Sequence, residues 1–444
     1  MENLPQLPPE VLVNVFSYLS TEEKHAVRAS SRHLKQLIDQ PSLWRDDTVV
    51  LSDLHRYTDG FWDTLNRRKV TRVARTYNEK YLDNLALFPE LRDLGVRNLI
   101  WDEAMLGRSL SLQLKDRMTH LSVCNVDLPC RVDFINTVAQ LVNLRYLLFH
   151  QQDEDYMRAT VRPLPCGVFH NLLLSLRKLQ HLSWGMEVEP PEHPGAARYG
   201  GPALTSLELV GYPETILIVN ELRSLTSLRS LTVRYREGIG CSLTSCLSPL
   251  QQLESLTIIG GNSLAAYTTT IPSSVTRLML RVAITLQDVD SIAPNVPGLE
   301  HLDIEQNRTT GSLCRRIPML FPQLRTLRIW FFHREPENDL LSLHHLRHLV
   351  QLELLVDPFI LRDYLNGHPW PSPCVQGLMN QLRELSENRI TVITTMHQRN
   401  PLRECDCVGE ETEEGEVDFI PPEEEEEEEE DDRVAIRDGN RRLT

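Results

Sequence analysis

Apolar residues recur through most of this chain in one six-residue pattern, L-x-x-L-x-L, with other large apolar residues standing in for leucine. Copies begin at Leu91, Met118, Leu144, Leu179, Leu204, Leu228, Leu253, Val275, Leu299, Leu324 and Leu349. Successive starts lie 22 to 27 residues apart, with one step of 35. Weaker copies stand at Val49/Leu51, Val70/Val73 and Ile390/Val392. In each copy the two residues of L-x-L, such as Leu207 and Leu209 or Leu302 and Ile304, point the same way from a short strand into a stacked core. The stretches between copies read as helices: Asp133–Leu141, Val168–Leu179, Asp339–Leu349 and Cys374–Asn388. Strand, turn and helix repeated at this period predict an α/β horseshoe, with parallel strands on the concave side and helices on the convex side.

The period is that of leucine-rich repeats. It does not reach the N-terminus, where Leu7–Ser20 reads as one helix. Its apolar residues Val11, Leu12, Val15, Phe16 and Leu19 cover an arc of roughly 140°, wider than a surface helix usually buries against its own core. Pro9 suits the first helical position and Glu10 the positive helix end. So much apolar surface on a short helix requires either a large core behind it or a partner. A second helix is expected from Ser20, which has capping-box spacing to Glu23, with Ala26 and Val27 inward. A third carries Leu34, Leu37 and Ile38 and ends before Pro41. Leu43 and Trp44 are placed to close the bundle. Three helices in roughly 40 residues bury too little to stand alone.

Composition adds boundaries. The chain has 444 residues and a net charge of −16. Residues 404–444 hold 19 acids against four arginines, so the body is close to neutral. The expected organisation is an N-terminal bundle at 1–47, a solenoid of about 11–13 repeats at 48–400, and a disordered acidic tail at 401–444. Insertions at 151–166, 186–202 and 361–373 interrupt the array. No segment reads as a membrane span or signal peptide. The nine scattered cysteines then read as reduced thiols, and the location as cytoplasmic and/or nuclear.

Chemistry-bearing motifs are sparse. There is no Gly-rich phosphate loop, no H-E-x-x-H, no nucleophile elbow and no RING spacing of Cys and His. His344 and His348 stand at i, i+4 but lack an acidic third ligand, and Cys405 and Cys407 lack a second pair. No catalytic residue, metal site or cofactor is expected, and a neutral body without a long basic stripe speaks against nucleic acid. The x positions of the later repeats bring Arg234, Arg277, Arg281, His301, Asp303, Glu305, Arg328 and Trp330 to the concave face. Arginines beside a tryptophan suit a partner surface. Arg277, Arg281 and Arg328 are expected near one column, with Asp303 and Glu305 partly neutralising them.

The N-terminal unit resembles the F-box, through "LPPEVLVNVFSYL", a leucine-bearing third helix and "PSLW". Followed by leucine-rich repeats, the chain resembles the F-box and leucine-rich repeat family, the substrate receptors of SCF ubiquitin ligases. The resemblance implies that Leu7, Pro8, Glu10, Val11, Leu12, Val15, Phe16, Leu19, Leu37, Leu43 and Trp44 serve the Skp adaptor, and through it cullin and RING subunits. It implies that the repeats hold an unidentified substrate protein, with Arg234, Arg277, Arg281, Glu305, Arg328 and Trp330 as candidate contacts. Two departures predict a weakened bundle core: Leu34 takes the place of a common tryptophan, and Lys24 and His25 that of a common leucine. The alternative is a repeat scaffold whose F-box-like unit recruits no cullin. An enzyme hidden in the insertions is opposed by the lack of any acid–base or nucleophile cluster.

Overall fold

The computed structural model describes residues 7–19, 21–44, 48–51, 59–76, 90–97, 115–124, 126, 128, 130–150, 163–189, 201–211, 225–235, 243, 247–261, 268–282, 284–304, 313–330, 337–356 and 373–396. The acidic tail, residues 361–372 of the third insertion and Glu305 lie outside them.

Three helices open the chain: α1 (Pro9–Phe16), α2 (Thr21–Ser30) and α3 (Arg32–Ile38). Pro9 occupies the first turn of α1 as expected, and Ser31 caps α3 by accepting from the Leu34 N–H. A 3-10 turn at Pro41–Leu43 follows. The array then runs β1 (Thr48–Leu51), α4 (Asp59–Arg67), β2 (Arg72–Thr76), β3 (Asp93–Arg97), β4 (His120–Cys124), α5 (Arg131–Val138) and β5 (Tyr146–His150). It continues with α6 (Cys166–Ser175), β6 (His181–Gly185), β7 (Ser206–Gly211), β8 (Ser230–Tyr235), β9 (Ser255–Ile259) and β10 (Arg277–Arg281). It ends with α7 (Leu286–Ile292), β11 (His301–Ile304), α8 (Ile317–Leu320), β12 (Thr326–Trp330), α9 (Glu337–Leu341), β13 (Gln351–Val356), α10 (Pro373–Leu385) and β14 (Thr391–Met396).

All eleven strong copies of the pattern and all three weak ones are strands. They form one 14-stranded sheet in sequence order, β1 to β14. Every pairing is parallel, and the copies align in register, so that Leu278 stands beside Leu302 and Leu302 beside Leu327. The pleat then sorts the side chains. In β7, Leu207 and Leu209 are buried, while Ser206, Glu208 and Val210 are half-buried on the other face. One core of buried residues runs from Val49 to Val392. Truncating a leucine in such a core to alanine costs about 2–5 kcal/mol.

The turns explain why the helices stop earlier than the apolar pattern predicts. Just before β5, β6 and β8 to β13 a tight turn joins two buried residues, as in Leu141 to Leu144, Leu176 to Leu179 and Leu346 to Leu349. These leucines belong to the turn, so α5 ends at Val138, α6 at Ser175 and α9 at Leu341. The backbone carbonyl that follows accepts two N–H groups from the next repeat: Gln180 takes those of Thr205 and Ser206, Thr205 those of Arg229 and Ser230. Stacked turns thus hold the spacing at one end of the strands.

One expectation about the thiols is corrected. Cys124 is disulfide-bonded, whereas Cys130, Cys166 and Cys314 remain thiols.

Candidate functional site

The first candidate surface is α1. Its apolar arc divides into two faces. Phe16 is buried and joins Leu37, Ile38, Leu43 and Trp44 in a separate small core, with Leu12, Val13, Leu19, Val27 and Leu34 packed around it. Leu7, Val11 and Val15, each four residues apart, point outward and are 51%, 44% and 48% exposed, and Tyr18 continues the stripe at 83%. Pro8 and Glu10 are also exposed. Of the residues assigned to adaptor contact, Phe16, Leu37, Leu43 and Trp44 are therefore filling of the bundle rather than surface. The reason is geometric: residues at i and i+4 share a face, and one face of α1 must cover α3.

The bundle core is not weakened in the way that Lys24 suggests. Lys24 is 3% exposed, and its Nζ donates to the Leu43 carbonyl at 2.9 Å while lying 5.5 Å from the Trp44 ring centroid. The stem packs like an aliphatic residue and the ammonium closes the bundle's last turn. The Arg68 guanidinium, just after α4, lies 3.8 Å over the Trp44 ring and donates to the Asp39 carboxylate at 2.6 Å. Arg28 donates to the same oxygen at 3.0 Å. Burial pushes the Asp39 carboxyl up, but these two hydrogen bonds and charges outweigh it and leave the pKa below its ordinary value. Arg68 thereby ties the bundle to the first repeat.

The second candidate surface is the concave face. Side chains there stand in three columns, at the first, third and fifth positions of each strand. Arg234, at the fifth position of β8, donates to Glu208 on β7 at 2.7 Å. Glu208 also accepts from Ser183 on β6 at 2.7 Å, and Ser183 meets His150 on β5 at 2.6 Å. Burial pushes Glu208 up, yet Arg234, Ser183 and His150 together hold it below the ordinary value. This Ser–His–Glu group is not a nucleophile arrangement. The serine stands between the other two rather than at one end, and it is fully buried.

A second ladder crosses β10 to β14. Asp303 accepts from Arg328 at 3.2 Å and lies 3.8 Å from Arg281, and Arg328 also reaches Glu353 at 3.0 Å. Glu353 accepts in turn from the Thr395 hydroxyl. Here burial wins: Asp303 is raised above its ordinary value, and its two arginines only partly offset the cost of enclosing it. Asp303 pairs with two of the three arginines, Arg281 and Arg328, and not with Arg277. The expected single column does not exist. Arg277 and Arg281 are the two ends of β10, while Arg328 is central on β12. Trp330 is half-buried and stands in register with Leu355, so it is not an exposed anchor.

The face is not uniform. Across β4 to β6 its centre is closed, with Ser122, Leu148 and Ser183 at 8%, 4% and 0% exposure. Beside it, Tyr146 stacks on His181 with ring centroids 4.3 Å apart. Across β9 to β13 the face opens into a hollow of about 420 Å3, lined by Ser255, Thr257, Arg277, Met279, His301 and Thr326 among others. Of these, Ser255, Thr257, Met279 and Thr326 had not been singled out from the sequence, and neither had Glu208 and Glu353. Reading the x positions of all copies in register would have set Glu353 beside Arg328. Among the described residues, no group of three or more His, Cys, Asp or Glu side chains is placed to hold a metal ion. No described helix is long and apolar enough to cross a membrane.

Comparison with known proteins bears on the N-terminal unit. The F-box-like family matches residues 4–48. No curated protein matches the chain in sequence. Among solved structures, the crystal structure of an internalin from Listeria monocytogenes is similar, with 15% identity over 79% of this chain and 93% of that one and a TM-score of 0.39. The three-helix unit with its outward apolar stripe is thus an F-box-like domain by the match at residues 4–48, and Arg68 joins it to a parallel sheet built on a leucine-rich repeat period.

Proposed function

We propose that this protein is the substrate-recognition subunit of an SCF-type ubiquitin ligase. Its F-box-like domain binds the Skp adaptor, and the adaptor connects it to cullin and RING subunits. The repeats hold the protein to be modified. The chain itself performs no chemistry; it brings a substrate close to a catalyst supplied by its partners. The observation that carries this reading is the stripe of Leu7, Val11 and Val15, apolar and outward on a domain too small to spare it. Contiguous exposed apolar surface marks a docking site.

The test is capture of the Skp adaptor by the full chain, with Leu7→Ala/Val11→Ala/Val15→Ala as the comparison. Truncating interface anchors costs about 2 kcal/mol each at the centre of a contact, so the triple variant should lose adaptor by well over tenfold. Equal capture by both proteins would remove the stripe from the contact. Adaptor capture without cullin would favour the alternative, a repeat scaffold that recruits no ligase.

A further inference from the structure

Among the described residues, four arginines of the later repeats reach the inner columns of the concave face, and the two ladders engage three of them. Arg234 belongs to Glu208, Arg281 to Asp303, and Arg328 to Asp303 and Glu353. Arg277 is exposed, lines the hollow, and has no ion pair or side-chain hydrogen bond among the described residues. It opens β10, and its neighbours in register are Ser255 on β9 and His301 on β11.

The column to which it belongs differs in kind from the central one. From β7 to β13 the first positions are Ser206, Ser230, Ser255, Arg277, His301, Thr326 and Gln351. They offer hydroxyl, imidazole, amide and guanidinium groups and no carboxylate. The acids Glu208, Asp303 and Glu353 all stand in the central column. Two more acids, Glu254 and Glu300, precede Ser255 and His301, but each holds its own arginine, Arg229 at 2.6 Å and Arg325 at 3.4 Å. His301 is turned to the Thr326 hydroxyl at 2.6 Å. Burial and the Arg277 charge keep its pKa below the ordinary value, so it is neutral at physiological pH. One guanidinium is thus left to meet an anion on a strip without competing carboxylates.

Resting on the reading that the repeats hold the partner, we propose that Arg277 is the anion contact of this face. It takes the carboxylate or phosphate of one acidic residue in an extended partner segment laid across the strand starts. A guanidinium offers a planar fork of donors matched to either group. Ser255 and Thr257 supply further hydroxyls in the same hollow, and Met279 supplies an adaptable apolar wall for the neighbouring side chain. Strands about 4.8 Å apart make the stretch from Ser230 to Gln351 about 24 Å long, which about seven extended residues span.

The test uses the full-length chain and degenerate peptide pools whose central residue is fixed as phosphoserine, glutamate, serine or lysine. Wild-type protein should retain an acidic pool about tenfold better than the serine pool. Arg277→Gln should retain all pools alike with an unchanged melting temperature, and Arg277→Lys should keep part of the preference, having the charge without the fork. A phosphoserine pool retained above the glutamate pool assigns phosphate as the source; equal retention assigns the carboxylate. The proposal is overturned if the wild type has no acidic preference, or if the preference survives Arg277→Gln. Adaptor capture measured on the same preparations separates the two readings. Intact capture without acidic preference removes Arg277 alone, whereas acidic preference without capture removes the ligase assignment and leaves Arg277 in place.

Discussion

The F-box-like bundle and the repeat array solve the same problem of surface in opposite ways. The array extends one core from Val49 to Val392 and pairs most of its concave charges among themselves. Among the described residues, the bundle has five buried apolar residues and leaves four large apolar ones outside on or beside α1. Area explains the difference. A solenoid gains core with each repeat added, while a unit of three short helices cannot enclose both faces of its first helix. The difference separates two meanings of an arginine or a leucine at the surface. On the proposed function, paired polar groups on the array are scaffold, and outward apolar groups on the bundle are contact.

The largest expected effect falls on the smaller core. Trp44 is 2% exposed and receives both Lys24 and Arg68 over its ring. Trp44→Ala should cost about 3–5 kcal/mol, enough to unfold the bundle while the array persists. Circular dichroism melting should then keep the array's transition and lose helical signal before it. A single unchanged transition would show that the two regions are not energetically distinct.

Next comes the array's own polar scaffold. Arg328→Ala leaves Asp303 and Glu353 without their shared partner. Breaking a buried pair costs about 3–5 kcal/mol. The Arg328 side chain is 29% exposed. Solvent screening at that exposure reduces the expected loss to about 2 kcal/mol. Denaturant unfolding of the array measures it. A loss under about 0.5 kcal/mol, the level of an ordinary surface substitution, would make Arg328 a free contact residue after all.

Acid titration sharpens the contrast between the two ladders. Glu208 has a lowered pKa, so its contribution is present above the ordinary glutamate value of 4.5 and is lost as pH falls through the lower folded value. Asp303 has a raised pKa. Its penalty is present above the folded value and is relieved as pH falls through that value toward the ordinary 3.8. Stability followed against pH should therefore lose an acid-side decline in Glu208→Gln and lose an acid-side gain in Asp303→Asn. The same sign of change in both variants would contradict the structure.

The smallest effect on stability should belong to the variant with the largest effect on binding. Leu7→Ala/Val11→Ala/Val15→Ala removes side chains that are about half exposed. Each of them contributes no more than about 0.5 kcal/mol to folding, the level of an ordinary surface residue. The thermal transition of the variant should stay within a few degrees of the wild type. A collapse of the bundle would mean that the stripe packs inward and that lost adaptor capture reports misfolding.

Much of this was legible along the chain. The strands follow from a pattern of period two within a longer repeat, because burial on one face of a pleat demands alternation and stacking demands the repeat. The start of α1 followed from Pro9, and the closing role of Trp44 from its place after Pro41. The candidate sites were less legible. Phe16 and Val15 are both apolar and adjacent, and nothing in their identities says which of them faces α3. Arg277, Arg281 and Arg328 are likewise one residue type with different partners.

What the sequence determined by itself was therefore periodic: the element types, their order, the parallel sheet and the neutral body with its acidic end. Periodicity is a local property, set by backbone geometry within a few residues. What only the tertiary structure decided was pairing. Arg281 meets an aspartate one repeat on, and Arg328 meets carboxylates in both adjacent repeats. Lys24 turns inward from α2 onto Trp44, beyond the end of α3. Arg277 meets no carboxylate among the described residues. Those outcomes depend on register between successive repeats and on which charges share a low-dielectric face, and both exist only once the chain is stacked.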